Sequence, residues 1–480
     1  MKALIFAVVL ILSSINTFSQ WQPDQRLTNY PGNSYISANG QRCIAADGLN
    51  VHVVWYDAFI GNYQIFYKRT TDGGITWGQD TMLNLTNYEA VAPSIAVSGN
   101  DIHLTWMDRR IGNPEIYYKK SSNGGISWGP DTRLTDNVYN SEHAVVDADG
   151  STVMAVWKDD RDGNAELYYK RSTDAGTTWS SDTRLTNFAG PSSEPTIKIA
   201  GTNIHVAWDD GRNGANTEIY YKRSTDLGIT WGNDIRLTNY ADLSLNPSLA
   251  VSGQEVHVVW EDFRDGNAEI YYKNSTDNGS AWNSDKRLTN NASNSWHPSV
   301  GVSGSHVHVA WGDNRDGNHE IYYNVSSNSG ANWGTDTRLT NAADNSYNAC
   351  IAVSGSAIHV VWHDYRDGNF EIYYKQNPTG NTISVETIGT QIPAAYMLYQ
   401  NYPNPFNPVT NIKFSIPVSG NVRLIVYDML GKEIKTLVNE NLNAGIYSVD
   451  WDASQFSSGV YFYRIEAGTF SGTGKMILIK

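Results

Sequence analysis

The sequence predicts an all-β chain in two parts: a seven-bladed β-propeller of repeats about 51 residues long, closed by its N-terminal strand, followed by a small Ig-like β-sandwich. Three observations carry this expectation. A tryptophan recurs at a fixed interval, each repeat alternates apolar and polar residues with period two, and the start of the mature chain supplies a segment that the last repeat lacks.

Trp55, Trp106, Trp157, Trp208, Trp260, Trp311 and Trp362 each end an alternating run such as VHVVW, at intervals of 51, 51, 51, 52, 51 and 51 residues. The longer interval arises at Gly214, Ala215, Asn216 and Thr217, where the neighbouring units have a shorter GNA. Turns accept an extra residue most easily. Within a unit, segments of the kind PSIAVSG, VHVVWxD, EIYYKRS and TWGxDxRLTN read as four strands. The DG of RDGN, between the second and third, supplies positive φ and marks a hairpin. Four strands of about five to six residues with their turns fill one unit, so one unit is one blade of a propeller. The seventh unit stops at Tyr373, Tyr374 and Lys375 without a fourth strand, while Trp21, Asp24, Arg26, Leu27, Thr28 and Asn29 match the missing piece. Joining them would remove two exposed sheet edges.

That closure makes neighbours of Cys43, in CIAADG, and Cys350, in CIAVSG, at one equivalent position of the innermost strand. The other units are expected to put Ser94, Ala144, Thr196, Ser248 and Ser299 there. In an oxidising compartment the two cysteines could form a disulfide; the alternative is a pair of buried free thiols.

With 35 Lys and Arg against 49 Asp and Glu the chain carries a formal charge of −14, and no basic tract exceeds two residues. Nucleic acid is therefore not an expected partner. Residues 1–19 read as a signal peptide: Lys2, an apolar run from Ala3 to Leu12, and a cleavage site at Thr17, Phe18 and Ser19. No transmembrane segment is expected in the mature chain, since no later apolar stretch reaches the length needed. Two cysteines with no suitably spaced His or carboxylate partners suggest neither a metal site nor a cofactor.

The turn after each third strand carries SxDxGxTW, as at Ser172, Asp174, Gly176, Thr178 and Trp179. This motif resembles the Asp box of sialidase-type propellers over residues 20–376, with Asp72, Asp174, Asp226 and Asp277 in the aspartate position and Asn123 and Asn328 in two looser copies. The resemblance implies a structural turn on the face opposite an active site. A second repeated set, WxDxRDGNxE, appears as Asp159, Arg161, Asp162, Asn164 and Glu166, and again as Asp262, Arg264, Asp265, Asn267 and Glu269. It reads either as a ladder holding hairpins together or as a ring of like binding sites. The first unit, with Ala58, Phe59, Ile60 and Gln64, has lost most of it.

A catalytic or binding centre is expected where the symmetry breaks, in the loops leading into the innermost strands, because one reaction centre needs different groups in different roles. Those loops carry Arg42, Glu142 with His143, Glu194, and Trp296 with His297. Glu142 and Glu194 are the candidate catalytic carboxylates; Arg42, His143, Trp296 and His297 are candidate ligand contacts, Trp being a natural platform for a sugar ring. The plainer reading is a set of polar residues lining a wet channel. The sialidase resemblance transfers no catalytic residue: an RIP-type motif and an arginine triad are not found, and whether the protein is an enzyme stays open.

Residues 377–393 are polar and turn-rich and read as a linker. Beyond them, YPNPFNP, VYDMLGKEI, GVYFYRI and the terminal KMILIK alternate as short strands over residues 394–480. This segment resembles the type A sorting domain of the type IX secretion system, which implies recognition by that machinery and a destination outside the cell or on its surface. The function expected is lectin-like binding of an extracellular glycan or glycoprotein, with a sialidase-like exo-glycoside hydrolase and an extracellular protein-binding scaffold as the alternatives.

Overall fold

The computed structural model describes residues 21–37, 42–58, 61–214, 216–378, 386–387, 393–418, 420–442, 444–453 and 456–479. The expected signal peptide, Phe59, Ile60, Ala215 and most of the linker lie outside them. All regular elements among the described residues are strands, and the chain divides into two units between residues 380 and 381.

The first unit is a ring of seven sheets, each a meander whose first strand lies at the hub. In the third blade the strands are Ser141–Asp149, Thr152–Asp159, Glu166–Ser172 and Thr183–Arg184, all antiparallel. The second strand is buried on both faces, because a neighbouring blade covers each side; the seven repeating tryptophans have no exposed surface. Burying such a ring removes roughly 150–250 Å² from water, so these residues dominate the packing between blades.

A second repeated contact locks each blade to the next. His205 Nδ1 lies 2.6 Å from the Tyr221 hydroxyl within one blade, and that hydroxyl abuts Gly279 in the Asp box of the following blade, where an added Cβ would sit 2.0 Å from it. Trp282 of the same Asp box stands edge-on against Tyr221 at 4.9 Å. Six blades pair His with Tyr in this way; the third has Met154 instead, and its Tyr169 donates to the Gly228 carbonyl.

The ring closes through the start of the described chain. Gln25 and Arg26 pair with Tyr374 and Tyr373, completing the sheet of the seventh unit. Trp21 stands edge-on against Tyr323 at 5.0 Å, as each Asp-box tryptophan does against its own neighbour, and Trp77 meets Tyr374 across the junction at 4.9 Å. Asp24 holds Arg366 at 2.7 Å and Lys375 at 2.9 Å. Cys43 and Cys350 are neighbours at this junction; both thiols are buried and hydrogen-bonded to one another, without a disulfide between them. One position needs correction. The residue equivalent to Cys350 in the third blade is Val145, paired with Val156 as Cys350 is with Val361; Ala144 takes the preceding place, held by Pro93 in the second blade and Ala349 in the seventh.

The WxDxRDGNxE set is occupied by protein partners. Buried Asp159 accepts from Trp157 Nε1, Ser141 Oγ and both Nε and Nη2 of Arg161, whose Nη1 reaches Asp182 at 2.6 Å. Asn164 donates to Glu166 and to the Phe188 and Gly190 carbonyls, while Glu166 takes Arg184, Thr186 and the Phe188 N–H. In the second to seventh blades the arginine of this ladder is bound to its own aspartate, so these groups already have protein partners.

The second unit is a sandwich of two four-stranded sheets. Val409–Ile416 and Gly445–Asp452 are central in one, Gly420–Tyr427 and Gly459–Ala467 in the other, over a core that includes Phe406, Ile412, Phe414, Leu424, Trp451 and Tyr463. Phe406 of the YPNPFNP segment donates its N–H to the Ile477 carbonyl and accepts from the Ile479 N–H, tying that segment to the final strand.

Candidate functional site

Six of the seven innermost strands carry the same irregularity near their start. Opposite each buried tryptophan they hold one residue too many, and the extra residue adopts the left-handed conformation at φ 47° to 56°. These residues are Ala92, His143, Glu194, Asn246, His297 and Asn348, none of them glycine. Non-glycine residues avoid this region unless their surroundings hold them there. A bulge also turns a side chain out of the pleat. Here it sets six side chains of four kinds around the mouth of the hub, on the face opposite the Asp boxes.

A second ring surrounds the first. The residue after each repeating tryptophan is Tyr56, Met107, Lys158, Asp209, Glu261, Gly312 or His363, so the otherwise uniform WxD motif differs in every blade at this position. In the six bulged blades each pairs with the residue that precedes the bulge, such as Lys158 with Glu142 and His363 with Tyr347, and in the first blade Tyr56 pairs with Tyr35. The two rings interlock. His143 Nδ1 lies 2.6 Å from Glu194 Oε1, Asn246 donates its N–H to Asp209 at 3.0 Å and its amide to Glu261 at 2.7 Å, and the His297 N–H reaches Glu261 at 3.1 Å.

The electrostatics follow from this crowding. Burial, reinforced by the nearby charge of Glu194, pushes the Asp209 carboxyl well above the usual carboxylate range. His143 is raised by its bond to Glu194 and the adjacent charges, which outweigh its burial. Burial lowers His297, and it drives His363 down to about 3. Three buried atoms here, Glu194 Oε2, His297 Nδ1 and His363 Nδ1, have no hydrogen-bond partner among the described residues. Buried polar atoms without partners are rare, and they mark places where a polar ligand gains bonds at no competing loss.

Beside the acidic cluster runs an arc of aromatic rings over the sixth, seventh and first blades. Trp296 stacks on His319 at 4.9 Å, His319 meets Tyr347 at 4.5 Å, and Tyr347 meets Phe370 at 6.0 Å. Phe370 contacts Tyr35 at 5.2 Å, Tyr35 stacks on Tyr56 at 5.5 Å, and Tyr63 closes the arc at 5.3 Å from Tyr56. These rings are half-buried, whereas His363, packed behind Tyr35 and Tyr347, is buried.

The sequence candidates thus separate. His143, Glu194, Trp296 and His297 come together at the mouth. Glu142 is tied to Lys158 at 3.3 Å. Arg42 lies deeper, where the innermost strands of all seven blades line a cavity of about 170 Å³. Its guanidinium spans that cavity to Asp147 at 2.6 Å and to the Ile197 and Leu249 carbonyls, and Lys198 joins Asp147 at 3.1 Å. Asp72, Asp174, Asp226 and Asp277 lie on the other face; Asp174 accepts from the Thr177 and Thr178 N–H groups at 3.0 and 2.8 Å and from Ser172. Sequence reasoning missed Asp209, Glu261, Asn246, His363, Tyr347 and His319. The variable x of WxD was the available signal for Asp209, Glu261 and His363.

Residues 154–360 match the family model of a BNR repeat-like domain, and residues 400–480 match that of a secretion system C-terminal sorting domain. No curated protein matches the chain. Among solved structures, the polysaccharide lyase Uly1 is similar with a TM-score of 0.52 at 10% identity, covering 74% of this chain and 94% of that one. The alpha-L-arabinofuranosidase of Fusarium graminearum aligns at 18% identity over 61% of this chain and 94% of its own, with a TM-score of 0.45. The sialidase of Trypanosoma rangeli aligns at 11% identity over 83% and 85%, also at 0.45.

Proposed function

We propose that this chain, a BNR-repeat protein whose C-terminal sorting domain sends it through the type IX secretion machinery to the cell surface or beyond, binds extracellular glycan at the mouth of its propeller. The observation that carries the reading is the aromatic arc from Trp296 to Tyr63 lying beside a cluster of polar side chains with unmet hydrogen bonds. A sugar presents an apolar face to stack on such rings and an edge of hydroxyls to meet Glu194, His297 and Asn246. A protein of similar fold is a polysaccharide lyase by name, in keeping with a carbohydrate ligand. The test is a glycan array probed with the propeller and sorting domain together. Binding that is lost on Trp296→Ala supports the reading; an array with no bound glycan contradicts it.

One observation favours a second reading, glycoside hydrolysis. Burial and the nearby Glu194 raise the Asp209 carboxyl well above the usual carboxylate range, and a carboxyl group shifted upward beside a second acidic side chain is a pairing such catalysis uses. Glu142 drops out of that pairing because Lys158 holds it. A fluorogenic glycoside panel separates the two readings: turnover abolished by Asp209→Asn with binding retained identifies an enzyme, and binding without turnover identifies a lectin.

A further inference from the structure

The charge balance at the mouth points to a narrower class of ligand. Each cation there is already matched: His143 by Glu194 at 2.6 Å, Lys158 by Glu142 at 3.3 Å, and Arg109 by Glu89 at 3.0 Å. Deeper in the hub, Arg42 and Lys198 share Asp147. Glu261 remains, bonded by the His297 N–H and the Asn246 amide, with no cationic partner among the described residues. The arginines of the repeats offer nothing instead, since each RDG arginine is forked onto its own aspartate, as Arg264 is onto Asp262 and Arg315 onto Asp313.

A carboxylated sugar, such as a uronate or a sialic acid, needs a guanidinium or ammonium to receive it, and desolvating it among carboxylates is unfavourable. A neutral sugar meets no such penalty. Its hydroxyls can donate to Glu194 Oε2, whose lone pairs are unmet, and its ring can lie on Trp296 and Tyr347. An amino sugar adds an ammonium for Glu261.

We infer, building on the glycan-binding reading, that the mouth of this propeller selects uncharged or amine-bearing glycans and rejects sugars that carry a carboxylate. The experiment is calorimetric titration of the intact chain with three sets of oligosaccharides of matched length: neutral β-linked hexose oligomers, chitosan oligomers, and oligogalacturonates together with sialyllactose. We expect binding to the neutral or amine-bearing set with the acidic set at least tenfold weaker. That gap should shrink as salt rises from 50 to 500 mM, since screening weakens the repulsion, and it should shrink again in Glu261→Gln. The salt series needs no variant and so remains informative if Glu261→Gln fails to fold. Acidic sugars that bind as tightly as neutral ones overturn this inference and leave glycan binding standing. Silence from all three sets removes the glycan reading and the inference with it.

Discussion

Asp57 marks the one blade in which the ladder has lost its cation, and its replacement by Asn should stabilise the propeller in a pH-dependent way. In the third, fifth, sixth and seventh blades the equivalent Asp159, Asp262, Asp313 and Asp364 stay below the ordinary range because a forked arginine offsets their burial. In the first blade that arginine position is Phe59. Asp57 is fully buried, its Oδ2 meets Ser34, and Oδ1 and the nearby Trp55 Nε1 have no partner among the described residues. Burial, outweighing the Ser34 bond, raises its carboxyl from 3.8 to about 6. The folded state therefore binds a proton more tightly than the unfolded chain. Stability from this group is complete below pH ~3.8 and is lost as the pH rises through about 6. By pH 8 the loss is roughly 3 kcal/mol, at ~1.4 kcal/mol per pH unit of displacement. Asn keeps the shape without the charge, so Asp57→Asn should gain roughly 3 kcal/mol over the parent at pH 8 and nothing at pH 3.5. With unfolding entropy near ~2.1 cal/mol/K per residue over about 360 residues, the melting temperature at pH 8 should rise by about 4 °C. Differential scanning calorimetry of the pair across pH is the assay. A gain independent of pH, or a loss at pH 8, would refute the reasoning.

The remaining expectations concern the blade contacts and the junction. Gly279→Ala, whose Cβ would meet the Tyr221 hydroxyl at 2.0 Å on a backbone at φ +80°, should destabilise by about 3 kcal/mol or more, whereas Gly253→Ala, at φ +58° with nothing within 4 Å, should lose about 1 kcal/mol in the same urea titration. His52, His103, His205, His257 and His359 are lowered by burial to about 4 and His308 to about 3, so each is neutral when folded. Stability from these rings is present above pH ~6.5 and declines as the pH falls toward 4, by up to about 2 kcal/mol per ring at pH 5; guanidinium midpoints at pH 7.5 and 5 that coincide would contradict this. We propose that Cys43 and Cys350 join once the chain meets an oxidising compartment, contributing about 2–4 kcal/mol. Peptide mapping of exported protein without reduction should show the linked pair, and two free thiols would disprove it.

The parts of this molecule that repeat were legible from its residues, and the parts that differ were not. The tryptophan interval reported blades because a repeat must bury the same surface at every copy, and Trp21 pointed to the junction because its partner Tyr323 needed an edge-on ring. The Asp box was legible because its hydrogen bonds are local, from Asp174 to amides three and four residues on. The mouth was harder. His143 and Glu194 belong to adjacent units 51 residues apart and meet only because a bulge turns each toward the hub. That bulge has no glycine to announce it, since the left-handed positions are filled by Ala92, His143, Glu194, Asn246, His297 and Asn348. Asp209 and Glu261 sat inside a motif otherwise so regular that its one variable position passed as noise. The surroundings of Arg42 were hidden for a related reason: its partners Asp147, Ile197 and Leu249 lie in the third, fourth and fifth blades, across the hub from its own.

The most direct test of the glycan-binding mouth is the affinity of a bound oligosaccharide for three single variants: Trp296→Ala, Tyr347→Ala, and Ile229→Ala, the last on an exposed Asp-box residue of the opposite face. Losing one stacked ring removes about 1–2 kcal/mol. We expect the first two to weaken binding by about five- to thirtyfold and the third to leave it unchanged. Undiminished affinity in Trp296→Ala and Tyr347→Ala, or an equal loss in Ile229→Ala, would place the ligand elsewhere on the molecule.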